Sequence, residues 1–226
     1  MDAIQQNLIE QVAGLHEIPA GAYNIRANGQ MAGRNTTANI DIVTKQDSSV
    51  IDIKIRPGTR NESVHIPVVL SQSGLQESVY NDFFVGEDAD VTIIAGGGIH
   101  NSGDGASEHS GIHRFFVEKN AKVRYVEKHY GSGDGSGERI MNPATEIHLA
   151  EGASLEMDTV QIKGIDSTKR VTTAQVADGA SLVIREKIMT HGRQYAETDF
   201  CVEMDGEGSS VNLISRSVAK EHSRQL

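Results

Sequence analysis

The sequence has no tryptophan, one cysteine and few aromatic residues, and each shortage removes a class of protein. A single cysteine, Cys201, excludes an internal disulfide framework. One thiolate cannot hold a structural zinc or an iron–sulfur cluster unless other chains or other ligand types contribute. No apolar run approaches the roughly 20 residues of a membrane span. The opening Met1-Asp2-Ala3-Ile4-Gln5-Gln6 lacks the basic and apolar regions of a secretion signal. Lys and Arg number 21 against 31 Asp and Glu, a formal net charge of −10, and no stretch gathers enough basic residues to track phosphates. The expectation is a cytoplasmic protein whose partners are neither nucleic acid nor membrane.

What is present is 226 residues with 38% hydrophobic content, enough to bury a core. Ile4, Leu8, Val12 and Leu15 recur at helical spacing after Asp2, a candidate N-cap, with Pro19-Ala20-Gly21 as a stop. One short amphipathic helix is expected there, within a lead-in of residues 1–35. From about Thr36 to 226 the pattern becomes short β-rich runs separated by Gly, Asn, Asp and Ser, as in Ile51-Asp52-Ile53-Lys54-Ile55 before Pro57-Gly58.

These runs repeat. Val85-Gly-Glu-Asp-Ala-Asp-Val91, Val117-Glu-Lys-Asn-Ala-Lys-Val123, Leu149-Ala-Glu-Gly-Ala-Ser-Leu155 and Val176-Ala-Asp-Gly-Ala-Ser-Leu182 share one form, and Glu207-Gly-Ser-Ser-Val211 is a degenerate fifth. The anchors Val91, Val123, Leu155, Leu182 and Val211 lie 32, 32, 27 and 29 residues apart, a solenoid period. Alternation on both sides of each turn, as in Phe115, Val117, Val123 and Tyr125, gives about two strands per repeat with one face inward. Gly or Asn accepts positive φ at the turn, and Ala fits where coils crowd. The fold class read from this is all-β, a right-handed parallel β-helix with a short N-terminal helix.

Gly14-Leu15-His16-Glu17-Ile18-Pro19-Ala20-Gly21-Ala22-Tyr23-Asn24-Ile25-Arg26 and Asn81-Asp82-Phe83-Phe84-Val85 resemble the short SufB/SufD-family proteins of anaerobic bacteria and archaea. So do Gly137-Glu138-Arg139-Ile140-Met141-Asn142-Pro143 and the ending Ser215-Arg216-Ser217-Val218-Ala219-Lys220-Glu221-His222-Ser223. The resemblance implies a non-enzymatic scaffold on which iron and sulfide are assembled with a SufC-type ABC ATPase, sulfur arriving indirectly from a cysteine desulfurase system. It also implies that the family's last strands, assembly-site Cys/His/Glu positions and SufC-docking helices lie beyond Leu226. A transient Fe–S cluster would then take ligands from another chain or from that C-terminal segment. The family's sulfur-accepting cysteine falls near Thr159-Val160-Gln161, where no cysteine stands. An open C-terminal edge of the coil stack is expected to pair with a second copy or a SufB-like partner.

Candidate metal ligands are His100, His109 and His113, in a Gly/Ser/Asp-rich region ahead of a strong strand, together with Cys201. The competing reading is that a polar loop merely exposes the histidines and that Cys201, between Phe200 and Val202, is a small buried hydrophobe. Gly131-Ser132-Gly133-Asp134-Gly135-Ser136-Gly137-Glu138 resembles half a calcium loop but lacks the full ligand series, and reads as a flexible excursion between coils. Arg193 and His191 are placed to orient an anion at a coil edge, and Glu186 or Glu197 are conceivable bases, but no spacing selects a catalytic pair. Two alternatives stand beside the scaffold: a divergent or truncated paralogue without cluster assembly, and a β-helix enzyme acting on carbohydrate. The 4% aromatic content, with no tryptophan to stack on sugars, argues against the last.

Overall fold

The computed structural model describes residues 1–45 and 49–226. Helix α1 (Ala3–Ala13) leads into β1 (Ala22–Ala27), β2 (Gln30–Asn35), β3 (Ile40–Thr44), β4 (Val50–Ile55), β5 (Arg60–Leu70), β6 (Gln76–Val85), β7 (Asp90–His100) and β8 (Ser107–Val117). There follow β9 (Lys122–Ser132), β10 (Arg139–Met141), β11 (Ala144–Leu149), β12 (Ser154–Gln161), β13 (Ser167–Val176), β14 (Ser181–Thr190), β15 (Tyr195–Met204), β16 (Ser210–Ala219) and β17 (Arg224–Gln225). Sheet 1 runs β16-β14-β12-β9-β7-β5-β1-β2 and sheet 2 runs β17-β15-β13-β10-β8-β6-β4-β3, with β11 between β8 and β13. From β5 onward the strands alternate between the sheets, with β10 and β11 sharing one place in sheet 2 between β8 and β13, and pair in parallel, which is a parallel β-helix. Antiparallel pairs occur at the start, β1 with β2 and β3 with β4. β structure thus begins at Ala22, ahead of the expected Thr36, because β1 adds to β5 through Tyr23↔His65 and Arg26↔Val68.

The repeat anchors form one ladder, Val91↔Val123↔Leu155↔Leu182↔Val211. The first anchors form another, Val85↔Val117↔Leu149↔Val176. Between them the turn places Asp88, Asn120, Gly152, Gly179 and Gly208 at φ of 56° to 69°, and Ala89, Ala121, Ala153 and Ala180 are sealed against the neighbouring coils. Phe83 stacks on Phe115 at 4.6 Å and Tyr125 meets Phe115 edge-on at 5.0 Å, filling the turn side of the lumen. Each such side chain contributes about 1.5–3 kcal/mol by leaving water.

Asp2 caps α1: its carboxylate accepts from the Gln5 amide at 2.8 Å, and the Gln5 side chain accepts from the Asp2 amide at 3.1 Å. The helix ends at Gly14, in the left-handed region at φ 67°, five residues before Pro19. Leu8, Ile9 and Val12 are buried while Ile4 stays 42% exposed. α1 lies on the outer face of sheet 1, and the run Gly96-Gly97-Gly98 makes that approach possible. A Cβ at Gly96 would strike Val12, one at Gly98 would crowd Leu8, and one at Gly97 would enter the lumen against His109 and Met141. Among the described residues, no helix is long and apolar enough to cross a membrane.

The Gly131–Glu138 segment differs from the flexible excursion expected of it. It packs backbone on backbone against the preceding coil: a Cβ at Gly133, Gly135 or Gly137 would collide with the carbonyls of Asn101, Gly103 or Gly105. Gly135 and Gly137 amides donate to Asn101 and Gly103 carbonyls at 3.1 and 3.0 Å. The alternating glycines therefore serve close packing, not mobility.

Candidate functional site: a charged stripe inside the solenoid

Period-two alternation carries polar side chains into the lumen. On β8 the inward positions His109, Gly111 and His113 precede the apolar Phe115 and Val117; on β9 Glu127 and His129 follow Val123 and Tyr125. On β12 they are Thr159 and Gln161, on β13 Thr168, Arg170 and Thr172, and on β14 Glu186. This stripe lies between the apolar turn side and a second apolar cluster of Leu70, Ile99, Met141 and Ile165.

The groups are wired together. The Asn81 amide reaches His113 Nε2 at 3.2 Å, His113 Nδ1 meets the Tyr125 hydroxyl at 2.7 Å, and that hydroxyl donates to Glu127 Oε1 at 2.9 Å. Because Tyr125 donates onward, it accepts from His113 Nδ1–H, which leaves Nε2 as acceptor for Asn81: a neutral imidazole satisfies the chain. Glu127 and Glu186 flank Thr159 on sheet 1, in register on either side of it. Arg170, from the opposite sheet, reaches both, with Nη1 2.7 Å from Glu127 Oε2 and Nε 3.3 Å from Glu186 Oε2. All three are within 3% of fully buried. Glu186 also accepts from Ser215 at 3.0 Å and Thr198 at 3.3 Å. His129 Nδ1 lies 3.3 Å from Gln161 Oε1, and its Nε2 3.6 Å from Glu127. A second buried pair, Arg26 with Glu77 at 2.6 Å, sits toward the N-terminal coils.

Burial dominates the electrostatics. It pushes His109 down to about 3, helped by the charges of His129 and His113, and His113 down to about 4. Burial pushes Glu127 upward, yet His129 and Arg170 outweigh it and hold the carboxyl well below its ordinary range. Burial, then Glu127, raises the Tyr125 phenol. Gly111 opens the space between the two β8 histidines: a Cβ there would stand 3.2 Å from His113 Nε2 and 3.7 Å from His109 Nε2. The resulting cavity, bounded also by Gly97, Glu127 and His129, holds about 10 Å³, about the room of one water. His109 Nδ1, Thr159 Oγ1 and Thr172 Oγ1 are buried without a hydrogen-bond partner among the described residues.

Of the residues proposed from sequence as metal ligands, the structure brings His109 and His113 together and separates the rest. They are buried strand residues, not members of an exposing loop. His100 ends β7, its Nδ1 3.0 Å from Ser132 Oγ. Cys201 lies on the outer face of β15 and is exposed, contrary to the buried position expected, because Phe200 and Val202 take the inward phase. Among the described residues, no three His, Cys, Asp or Glu side chains converge in a metal-holding arrangement. Glu197, conceived as a base, is tied to Lys169 at 2.9 Å and accepts from the Tyr195 hydroxyl at 2.7 Å. Sequence reasoning missed Glu127, His129, Arg170 and the lumenal place of Glu186. Their phase relative to Tyr125, Val176 and Ile184 was the signal.

Fold and lumen define a parallel β-helix with charge buried along its interior. Residues 69–226 match the family described as SUF system FeS cluster assembly, SufBD core domain, and the chain belongs to that family. It is 27% identical over 171 residues to an iron-sulfur cluster assembly SufBD family protein of Archaeoglobus fulgidus, covering 74% of this chain and 44% of that protein. A SufBD family protein of Methanothermobacter thermautotrophicus is 22% identical over 175 residues, covering 76% of this chain and 41% of the relative. The chain thus spans less than half the length of these curated relatives.

Proposed function

We propose that the chain is a scaffold component of iron–sulfur cluster assembly that works in complex with a SufC-type ATPase and is not itself a catalyst. The observation that carries this reading is the SufBD core-domain match over residues 69–226. Iron and sulfide are cargo here, and the chain's residues supply a frame and part of the coordination. Cys201 is one exposed thiol, so a cluster held at this protein draws further ligands from another chain or from a C-terminal segment of the family core. The C-terminal edge is where we place that partner: among the described strands β16 pairs with β14 alone, and Leu213, Val218 and Leu226 are 45%, 51% and 78% exposed. Unpaired strand edges with apolar side chains favour strand addition.

A second reading, a divergent paralogue that keeps the framework but assembles no cluster, is favoured by the absence of cysteine at Thr159-Val160-Gln161. Anaerobic reconstitution with ferrous iron and sulfide, with and without the ATPase from the same organism, separates the two. Bound iron, sulfide-to-iron charge-transfer absorbance and a complex of added mass support the scaffold. Folded protein that binds neither cluster nor ATPase overturns it.

A further inference from the structure

The chain carries ten more negative than positive charges, yet one face is basic. On the outer face of sheet 1, from β9 through β16, the outward strand positions hold Lys122, Arg124, Lys128, Arg185, Lys187 and Arg216 against two acids, Glu156 and Asp158. Both acids are engaged by Arg185, at 2.8 and 3.6 Å. The other five cations have no ion-pair partner among the described residues.

The arrangement is columnar. One column runs Gly96, Lys128, Val160, Lys187, Arg216. Beside it runs an apolar column: Gly98, Tyr130, then Ile162 just past β12, Met189 and Val218. Ile162 and Val218 are 54% and 51% exposed. α1 covers the start of this face and runs along β7. Its Leu8 and Val12 sit over Gly98 and Gly96, and Tyr130 packs at the edge of the cluster it forms. Beyond α1 the same two columns continue across β12, β14 and β16 uncovered, now with cations beside the apolar row. Three strand spacings make about 14 Å, the length of about ten helical residues.

We propose that this outer face is a docking surface for an acidic amphipathic helix of another polypeptide, laid across β9, β12, β14 and β16 beside α1. The helix sets apolar side chains at i, i+3, i+4 and i+7 on Tyr130, Ile162, Met189 and Val218, and carboxylates toward Lys128, Lys187 and Arg216. Charge complementarity chooses the partner's sign, and the seated α1 shows that this face packs against a helix; the two columns, not α1, set the crossing direction. The inference stands apart from cluster assembly and does not depend on it.

The test uses the whole chain and two labelled helical peptides of about 18 residues with the same leucine stripe, one flanked by glutamate and one by lysine, read by fluorescence anisotropy. The glutamate peptide is expected to bind, to weaken as salt rises from about 50 to 300 mM, and to lose tenfold or more in affinity with Lys128→Glu/Lys187→Glu/Arg216→Glu. Ile162→Ser/Val218→Ser is expected to weaken it as well, which charge attraction alone would not do. Lys54→Glu/Lys119→Glu, away from this face, should leave binding unchanged. All these positions are exposed, and far-UV circular dichroism checks the fold. Equal binding of the lysine peptide, undiminished binding by the triple variant, or no binding of the glutamate peptide overturns the proposal. Sedimentation with phosphatidylserine vesicles that the triple variant abolishes, without peptide binding, assigns the face to a lipid surface and overturns it too.

Discussion

Lowering the pH from 7 to 5 should cost this protein much of its stability, and two side chains account for most of the loss. His109 and His113 are buried neutral, their folded values near 3 and 4 against 6.5 in an unfolded chain. The unfolded chain therefore takes up protons below pH 6.5 that the folded chain refuses. Stability is fully present above 6.5 and declines as pH falls toward 4 for His113 and 3 for His109. At pH 5 each histidine has forfeited about 2 kcal/mol, at about 1.36 kcal/mol per pH unit, so the pair removes about 4 kcal/mol. Against a typical total of about 5–15 kcal/mol, that is a large share. His65, also lowered by burial, pushes the same way. Staying at or above pH 5 keeps the depressed carboxyl of Glu127 out of the measurement. Urea unfolding followed by circular dichroism at pH 7, 6 and 5 gives the three free energies. His109→Gln and His113→Gln should each remove about half of the pH dependence, whatever they do to stability at pH 7. A wild-type loss below about 1 kcal/mol, or an undiminished slope in the double variant, would refute the burial argument.

Arg170→Met should destabilise by about 3–5 kcal/mol in urea unfolding, because it strands Glu127 and Glu186 in the lumen, and adding Glu127→Gln should recover part of that. Gly131→Ala should cost about 1–3 kcal/mol or more by the same assay, since its Cβ would run into the Gly164 carbonyl, whereas Gly29→Ala, with open space around it, should cost only the left-handed backbone strain of its φ of 78°, about 1–2 kcal/mol. Asp2→Ala should lose about 1 kcal/mol of helix capping, seen as faster amide exchange in α1 with the β-helix unaffected. Cys201 should react with a thiol reagent in the native protein as fast as in urea, because it is exposed; protection in the native state would mean a burial that the structure does not have.

The coil architecture was legible because the turn repeats its chemistry. A residue tolerant of positive φ followed by a sealed alanine recurs at Asn120-Ala121, Gly152-Ala153 and Gly179-Ala180, and the apolar anchors on either side fix the strand phase. The helix was legible from Asp2 and its apolar spacing, but its end was misplaced: Gly14 in the left-handed region stops it, and Pro19 only follows. β1 pairs at long range with β5, some forty residues later, which hid it, whereas the β1–β2 hairpin turns at Asn28-Gly29, both at positive φ, a local signal that the sequence carried and that was missed. The Gly131–Glu138 segment misled because glycine spacing alone does not distinguish a mobile loop from backbones packed at contact; the decisive partners, Asn101 and Gly105, belong to the coil before.

The interior charge was harder to read because composition assigns Glu, Arg and His to the surface, and local phase contradicts that rule. Counting back by twos from Val176 passes Ala174 and Thr172 and lands on Arg170; counting forward from Tyr125 lands on Glu127 and His129. Taken alone, each would be a buried charge costing several kcal/mol, which favours a strand-slip reading. Only across coils do they become tenable, since Arg170 crosses from one sheet to two carboxylates held apart by Thr159 on the other. That reach matters for the solenoid as a whole. Ladder contacts tie each coil only to its neighbours, so a stack of this kind is prone to fray one coil at a time. Arg170 joins strands on both sides of β12, and Glu186 passes the link on to Ser215 in β16. Opening the last coils therefore exposes a charge network as well as apolar surface, and β9, β13 and β14 should exchange their amides as one unit while the edge strand β16 opens separately.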